Sequence, residues 1–333
     1  MTELRQEPTT REWVIVAAER SGRPHDFKPA ETPIIPSHDE SCYFCPGQEH
    51  LTPLEALSYS DGGGGWAVRV FQNKFPVLTP HGSLSQSVVD KHFLKMGGVG
   101  VHEVIVETPR HNGFIPSRTL KEVELMLKAY RERQIALRSL RVGRVIVLFK
   151  NEGVSAGASI VHPHSQLVVT PLVPPNVEMK LRVAEEYFRE TGRCVYRDVE
   201  RWEVEAGRRL VLETDLFTVF SPYASRYPFE TWVIPKRNES SFAEISDKEL
   251  RDLADVLKDV VTRLYKIFGS LDYNWVVHSA PFESEDKEYY LWHIQIQPRL
   301  SVLGGFEMGA GMYINTVLPE DAAESLREVG SSL

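Results

Sequence analysis

Three cysteines in 333 residues are too few for a disulfide framework, and two of them sit together as Cys42-Tyr-Phe-Cys45 while Cys194 stands alone. Long apolar runs are missing as well. No stretch approaches the ~20 residues that span a bilayer, and the opening Met1-Thr-Glu-Leu-Arg-Gln-Glu-Pro has no apolar centre of the kind a signal peptide carries. A cytoplasmic protein is expected. There is no excess of positive charge: 38 Lys and Arg stand against 46 Asp and Glu, for a net charge of −8 and a pI near 5.8. That balance argues against a general nucleic-acid or membrane-surface binder, although a local basic pocket for a small anion is compatible with it. With 42% hydrophobic and 25% charged residues, the chain has ample material for a packed core.

The most informative segment present is His162-Pro-His164-Ser-Gln166, which runs into the apolar Leu167-Val-Val169. Side chains repeat every second residue along a strand, so a strand over 162–169 would put His162, His164 and Gln166 on one face. The preceding stretch from Asn151 to Ser159 contains Gly153 and Gly157 and small side chains that let backbone N–H groups approach an anion. A phosphate held there would lie within reach of an imidazole nucleophile. A pair of half-exposed polar residues, or a metal pair, is the plainer reading of the same motif.

Cys42-x-x-Cys45 reads either as a redox pair or as half of a zinc site. Pro46-Gly47 opposes the helix that a redox motif needs straight after its first cysteine, which favours zinc. Two histidines must then complete the site. The candidates include His50, His81, His92 and His102, but His111 is best placed, because it follows a strand running into a turn at Val104-Ile-Val-Glu-Thr-Pro109. A Cys42, Cys45, His111, His162 set would be closed and therefore structural, with one zinc per chain.

The same order of pieces occurs twice. In the first copy, strands at 66–71 and 103–107, a helix at 117–140 and a strand at 144–149 lead to the His162 segment. In the second, strands at 216–220 and 230–237, a helix at 247–268 and a strand at 273–278 lead to Leu291-Trp-His293-Ile-Gln295-Ile-Gln297. Ser246-Asp-Lys-Glu249 resembles a capping box for the second helix, and Leu250, Leu253, Leu257, Val260, Val261 and Leu264 recur at helical spacing. The pattern predicts an α+β fold: two tandem halves, 1–172 and 173–333, forming a largely antiparallel sheet flanked by helices. Glutamine cannot serve as the nitrogen nucleophile, so only the first half can carry covalent chemistry.

In order along the chain, Arg11-Glu-Trp-Val-Ile-Val through Arg20 and Arg23, Cys42-x-x-Cys45, Phe71-x-Asn73, Pro109-Arg-His111, Asn151 to Ser159, His162-Pro-His-Ser-Gln166 and Gly305-Phe-Glu307-Met together resemble the galactose-1-phosphate uridylyltransferases, a branch of the histidine triad superfamily. The resemblance covers nearly the whole chain. It implies a uridylyltransferase that moves UMP from UDP-glucose to galactose 1-phosphate by a ping-pong route through a uridylyl-histidine on His164. Ser159 and Gln166 would bond the phosphates, and Arg20 and Arg23 would meet the diphosphate. Phe71, Asn73, Asn151 and Gly157 would line the nucleotide site, while Gly305 and Glu307 would meet the sugar.

The resemblance also implies a homodimer, with UDP-glucose, UDP-galactose and hexose 1-phosphates as its small-molecule partners and neither nucleic acid nor membrane among them. Many family members carry a second metal in the C-terminal half. His278 and His293 match two of its ligands here, and Gln295 replaces a third. Lys74 follows Asn73 where an acidic residue is common, which bears on the base that is bound. The related ADP-sugar phosphorylases, which use inorganic phosphate as acceptor, share the catalytic motifs and form the alternative; a non-catalytic nucleotide-binding protein is a further one.

Overall fold

The computed structural model describes residues 2–20, 34–140 and 143–330. Its strands are β1 (Glu3–Gln6), β2 (Trp13–Val16), β3 (Glu55–Ser60), β4 (Trp66–Gln72), β5 (Ser87–Val89), β6 (Phe93–Lys95), β7 (Val101–Val106), β8 (Val145–Glu152) and β9 (His164–Thr170) in the first half. In the second half they are β10 (Leu210–Glu213), β11 (Phe217–Phe220), β12 (Thr231–Pro235), β13 (Tyr273–His278), β14 (His293–Pro298) and β15 (Tyr313–Asn315). The helices are α1 (Leu120–Arg138), α2 (Pro175–Thr191), α3 (Val195–Ala206), α4 (Asp247–Phe268), α5 (Gly305–Ala310) and α6 (Pro319–Gly330). Among the described residues no helix is long and apolar enough to cross a membrane.

Ten strands form one sheet in the order β10-β11-β12-β14-β13-β8-β9-β7-β4-β3. Every pairing in it is antiparallel. Each half of the chain supplies five neighbouring strands, and the halves join where β8 pairs with β13, from Tyr273 opposite Glu152 to Val277 opposite Leu148. The arrangement is a pseudo-twofold: α1 lies between β7 and β8 in sequence, and α4 lies between β12 and β13. Both helices pack on the same side of the sheet. Leu127, Tyr130, Leu253, Leu257 and Val261 from these helices share one core with Leu148, Leu167, Trp275 and Ile296 from the strands. A smaller sheet, β1-β2-β15, ties the N-terminus to the C-terminal region through a parallel β2–β15 pairing.

Alternation along the strands explains the two faces. In β8, Ile146, Leu148, Lys150 and Glu152 are buried under the helices, while Val147, Phe149 and Asn151 are half-buried on the opposite, open face. The helix over 247–268 begins where its sequence predicts, with the Ser246 side chain accepting from Glu249 N–H and Glu249 reaching back. The first helix starts later than 117, because Thr119 and Glu122 form a second capping box there. Helices α2 and α3 do not follow from the repeat; they fill the chain between β9 and β10. Strand β9 begins at His164, so His162, expected within the strand, precedes the ladder.

Leu257 is fully buried at the centre of α4. Leu257→Ala should cost about 2–5 kcal/mol of unfolding free energy, read as a shift in the denaturation midpoint with an unchanged slope.

Candidate active site

His164 stands at the first position of β9, paired with Val106 of β7. Its Nδ1 lies 2.9 Å from the His162 carbonyl and therefore carries the proton that it donates. Nε2 is left as a bare lone pair, with no protein partner among the described residues. Burial lowers the imidazole's proton affinity against the opposing bond to the His162 carbonyl, so the ring is neutral at neutral pH. Phe44 meets it edge-on, with ring centroids 5.3 Å apart.

Gln166, two residues on, shares the open face. His102 Nδ1 accepts from Val77 N–H at 3.2 Å, which places the ring proton on Nε2, and that nitrogen lies 2.8 Å from Gln166 Oε1. The Gln166 amide is thereby turned so that its NH2 group faces away from His102, free to donate. Asn73 Nδ2 lies 3.2 Å from the same His102 nitrogen. Sequence reasoning counted His102 among the possible zinc ligands; the structure makes it the residue that orients Gln166.

Beneath this face lies a buried ionic cluster that the sequence analysis did not find. The Glu107 carboxylate accepts from Arg118 Nη2 at 2.8 Å, Lys150 Nζ at 2.9 Å and Tyr130 O–H at 3.0 Å, and also from the Ser165 hydroxyl. The two cations hold Glu107 well below the usual carboxylate range despite the opposing effect of burial. Lys150 also lies 3.0 Å from Glu152, whose carboxyl is raised by burial. Lys150 and Ser165 are opposite one another in the β8–β9 ladder, one residue from His164. The cluster therefore fixes the backbone that aims the imidazole.

Cys42, Cys45, His111 and His162 come together with ligand atoms all within 4.8 Å of one another, every residue buried. Cys45 Sγ is 3.5 Å from His111 Nδ1 and 3.5 Å from His162 Nδ1, and Cys42 Sγ is 3.8 Å from the latter. Those separations match the ~3.4–3.8 Å edges of a tetrahedron built from normal Zn–S and Zn–N bonds. His162 Nε2 donates to the Thr108 carbonyl at 2.7 Å, leaving Nδ1 as the free lone pair. Burial pushes this imidazole down to about 4, so the lone pair persists across neutral pH. The residues fit a structural divalent metal with thiolate and imidazole ligands. The turn carrying Cys42 and Cys45 also places Phe44 against His164, so the clip and the imidazole are one packed unit with Phe71, Val104 and Val106.

The second metal that the resemblance implies does not fit. Lys180 Nζ lies 3.3 Å from His278 Nδ1, His278 and His293 stack at 4.8 Å, and Gln295 Oε1 takes His278 Nε2 at 3.0 Å. An ammonium group occupies the space a metal ligand would need, and among the described residues no third ligand joins the two histidines.

The remaining expected residues are dispersed. Phe71 is buried in β4 against Phe44. Asn151 ends the open face of β8 and accepts from Asn274 Nδ2 at 2.7 Å, across the seam between the halves. Asn274 also donates to the Ala156 carbonyl at 2.8 Å and accepts from Arg299, so two residues of the second half hold the 153–157 turn. Gly157 adopts φ +89°, left-handed backbone that only glycine takes without strain. Ser159 is exposed in a cavity of about 250 Å3 with Gly153, Tyr265 and Asp272. Gly305 and Glu307 lie on exposed α5, where Glu307 caps its own helix at Gly304 N–H. Among the described residues no hydrogen bond or ring contact joins them to His164. The Arg20 side chain and all of Arg23 lie outside the described residues.

With this geometry in hand, the comparisons are decisive about kinship. The models of the galactose-1-phosphate uridyl transferase N-terminal and C-terminal domains match residues 1–174 and 180–332. The chain belongs to this family of nucleotidyltransferases. ADP-glucose phosphorylase of Arabidopsis thaliana is 35% identical over 98% of this chain and 93% of its own. Galactose-1-phosphate uridylyltransferase of Thermotoga maritima is 32% identical over 98% of both. Among solved structures, the Arabidopsis thaliana ADP-glucose phosphorylase with bound ADP-glucose superposes with a TM-score of 0.83 at 32% identity, covering 98% of each chain. A uridylyltransferase structure gives 0.76 at 27% identity, over 100% of this chain and 99% of that one.

Elemental analysis of the purified protein should give about one zinc per chain. Cys45→Ser should lose that metal and lower the melting temperature by several degrees; two metals per chain in the wild type would contradict the assignment.

Proposed function

We propose that the protein transfers a nucleoside monophosphate from a nucleotide sugar to a phosphate-bearing acceptor through a covalent nucleotidyl-His164. The carrying observation is the imidazole itself: neutral, protonated on Nδ1 by its bond to the His162 carbonyl, with Nε2 facing the open side of the sheet. In the first step Nε2 forms a bond to the α-phosphorus while the bond from that phosphorus to the bridging oxygen breaks, releasing a hexose 1-phosphate. In the second, a phosphate oxygen of the acceptor attacks the same phosphorus and the N–P bond breaks, restoring His164. The Gln166 amide is turned to donate to the phosphate, the Asn151–Asn274 pair holds the glycine turn beside it, and Ser159, Arg20 and Arg23 are assigned to the diphosphate. The metal clip has no part in these steps beyond holding His162 and Phe44.

The resemblance to the uridylyltransferases supports UDP-glucose as donor and galactose 1-phosphate as acceptor. The likeness to the plant ADP-glucose phosphorylase, together with Lys74 after Asn73, supports a second reading in which ADP-glucose is the donor and inorganic phosphate the acceptor. Intact-protein mass spectrometry after incubation with each donor alone separates them. A uridylyl gain discharged by galactose 1-phosphate supports the first reading, an adenylyl gain discharged by phosphate the second, and persistence of the adduct in His164→Gly refutes the mechanism. Since burial lowers the His164 pKa below the ordinary 6.5, the rate of adduct formation should stay level as pH falls through that value and decline only below it.

We further propose a homodimer whose sites are shared. Helix α5 and its approach expose Val302, Phe306 and Met308 around Gly305 and Glu307, an apolar surface suited to a second copy, whose sugar site these residues would complete. Mixing His164→Gly with Glu307→Gln protein should recover about a quarter of wild-type activity, the statistical share of intact shared sites in randomly paired dimers. Absence of recovery would place both residues in one subunit's site.

A further inference from the structure

The open face of the second half carries its own cavity, about 320 Å3 in volume, between α2 and strands β8, β13 and β14. Lys180, Arg226, His278, Gln295, Gln297 and Tyr313 give it polar walls. Its volume falls at the low end of small-molecule sites and admits a hexose phosphate but not a whole nucleotide sugar.

The feature that calls for a ligand is Lys180. This residue of α2 is only 4% exposed, yet among the described residues it makes no ion pair. Its Nζ lies 3.3 Å from His278 Nδ1 and 3.4 Å from Nε2, and 5.9 Å from the centre of the Trp232 ring. Near-equal distances to both nitrogens mean that it lies along neither lone pair, and Nε2 is in any case engaged with Gln295. The nearby carboxylates are already committed. Glu7 accepts from Thr9, Glu12 pairs with Arg226, and Glu230 takes the Trp232 indole and the Arg226 backbone. Burial, reinforced by Arg226, pushes the Lys180 amine down to about 7. A buried amine in this state is stabilised by an anion that reaches it.

Arg226 supplies a second positive charge, its guanidinium 5.2 Å above the Tyr313 ring. Lys180, with the Arg226 guanidinium that Glu12 only partly offsets, suits a phosphate group, and the Gln297 amide in the same lining suits a sugar hydroxyl. We propose that this cavity binds a small phosphate ester of hexose size, at a site separate from that of His164. The ligand is held there and not consumed. His293, the imidazole nearest to His278, is fully buried and stacked against it, and His278 Nε2 is engaged with Gln295.

Pyridoxal 5′-phosphate is the direct probe, since it joins a phosphate to an aldehyde. Its aldehyde condenses with the Lys180 amine, losing water to form an imine, which borohydride reduces to a stable secondary amine. Peptide mapping should find Lys180 labelled ahead of the surface lysines. Glucose 6-phosphate should slow that labelling at least tenfold, at lower concentration than inorganic phosphate does. Lys180→Met should lose the label while still forming the nucleotidyl adduct. His164→Gly should be labelled as the wild type is, so failure of the His164 mechanism and failure of this site are distinguishable. Labelling scattered over surface lysines, or labelling of Lys180 that neither phosphate compound slows, would overturn the proposal; both readings come from the wild-type chain and do not depend on any variant folding.

Discussion

The arrangement around His164 depends on one buried carboxylate. Glu107 follows the end of β7 and joins α1 through Tyr130, the turn before it through Arg118, β8 through Lys150 and β9 through Ser165, all inside the core. Arg118 could not be buried without it, because an unpaired buried cation costs several kcal/mol, while Lys150 divides its pairing between Glu107 and Glu152. The pairing is mutual, since the cations hold the carboxylate ionised. Such a cluster contributes little net stability over apolar packing, but it permits only one arrangement of the four elements. His164 sits one residue from that clamp on the other face of the same strand.

The open face is controlled differently, by contacts that arrive from outside the strand. The Cys42–Cys45 turn presses Phe44 onto the imidazole, the His162 carbonyl fixes its tautomer, and His102 fixes the amide of Gln166. Each of these acts on orientation or protonation and leaves Nε2 untouched. The seam between the halves adds the last element. Asn274 and Arg299 belong to the second half but hold the glycine turn of the first, so each half depends on the other for its local shape.

Particular elements show what was legible in the chain beforehand. The capping box at Ser246 and Glu249 and the apolar stripe of α4 depend on neighbours three and four residues apart, and both formed as their spacing indicates. The Cys42, Cys45, His111, His162 set was readable because ligand chemistry limits which residue types can complete a cysteine pair. The strand was read two residues too long at His162, since period-two spacing cannot reveal that the ladder starts only at His164. His102 offered no local signal of its role, because its partners Val77 and Gln166 lie 25 and 64 residues away. Helices α2 and α3 escaped because they lie outside the repeat that organised the rest.

By itself, the sequence determined the classes of residue available: a His-x-His segment in the first half, a cysteine pair spaced for a metal, two helices with matching strands, and a charge that argues against a general polyanion binder. Only the tertiary structure decided how the halves join through β8 and β13, which imidazole nitrogen is bare, why Glu107 must lie between two cations, and that Lys180 fills the place beside His278. The physical reason is range. Caps, periodicity and ligand spacing are properties of near neighbours, whereas burial, tautomer and ionic pairing depend on groups that only the folded chain brings within a few ångströms of each other.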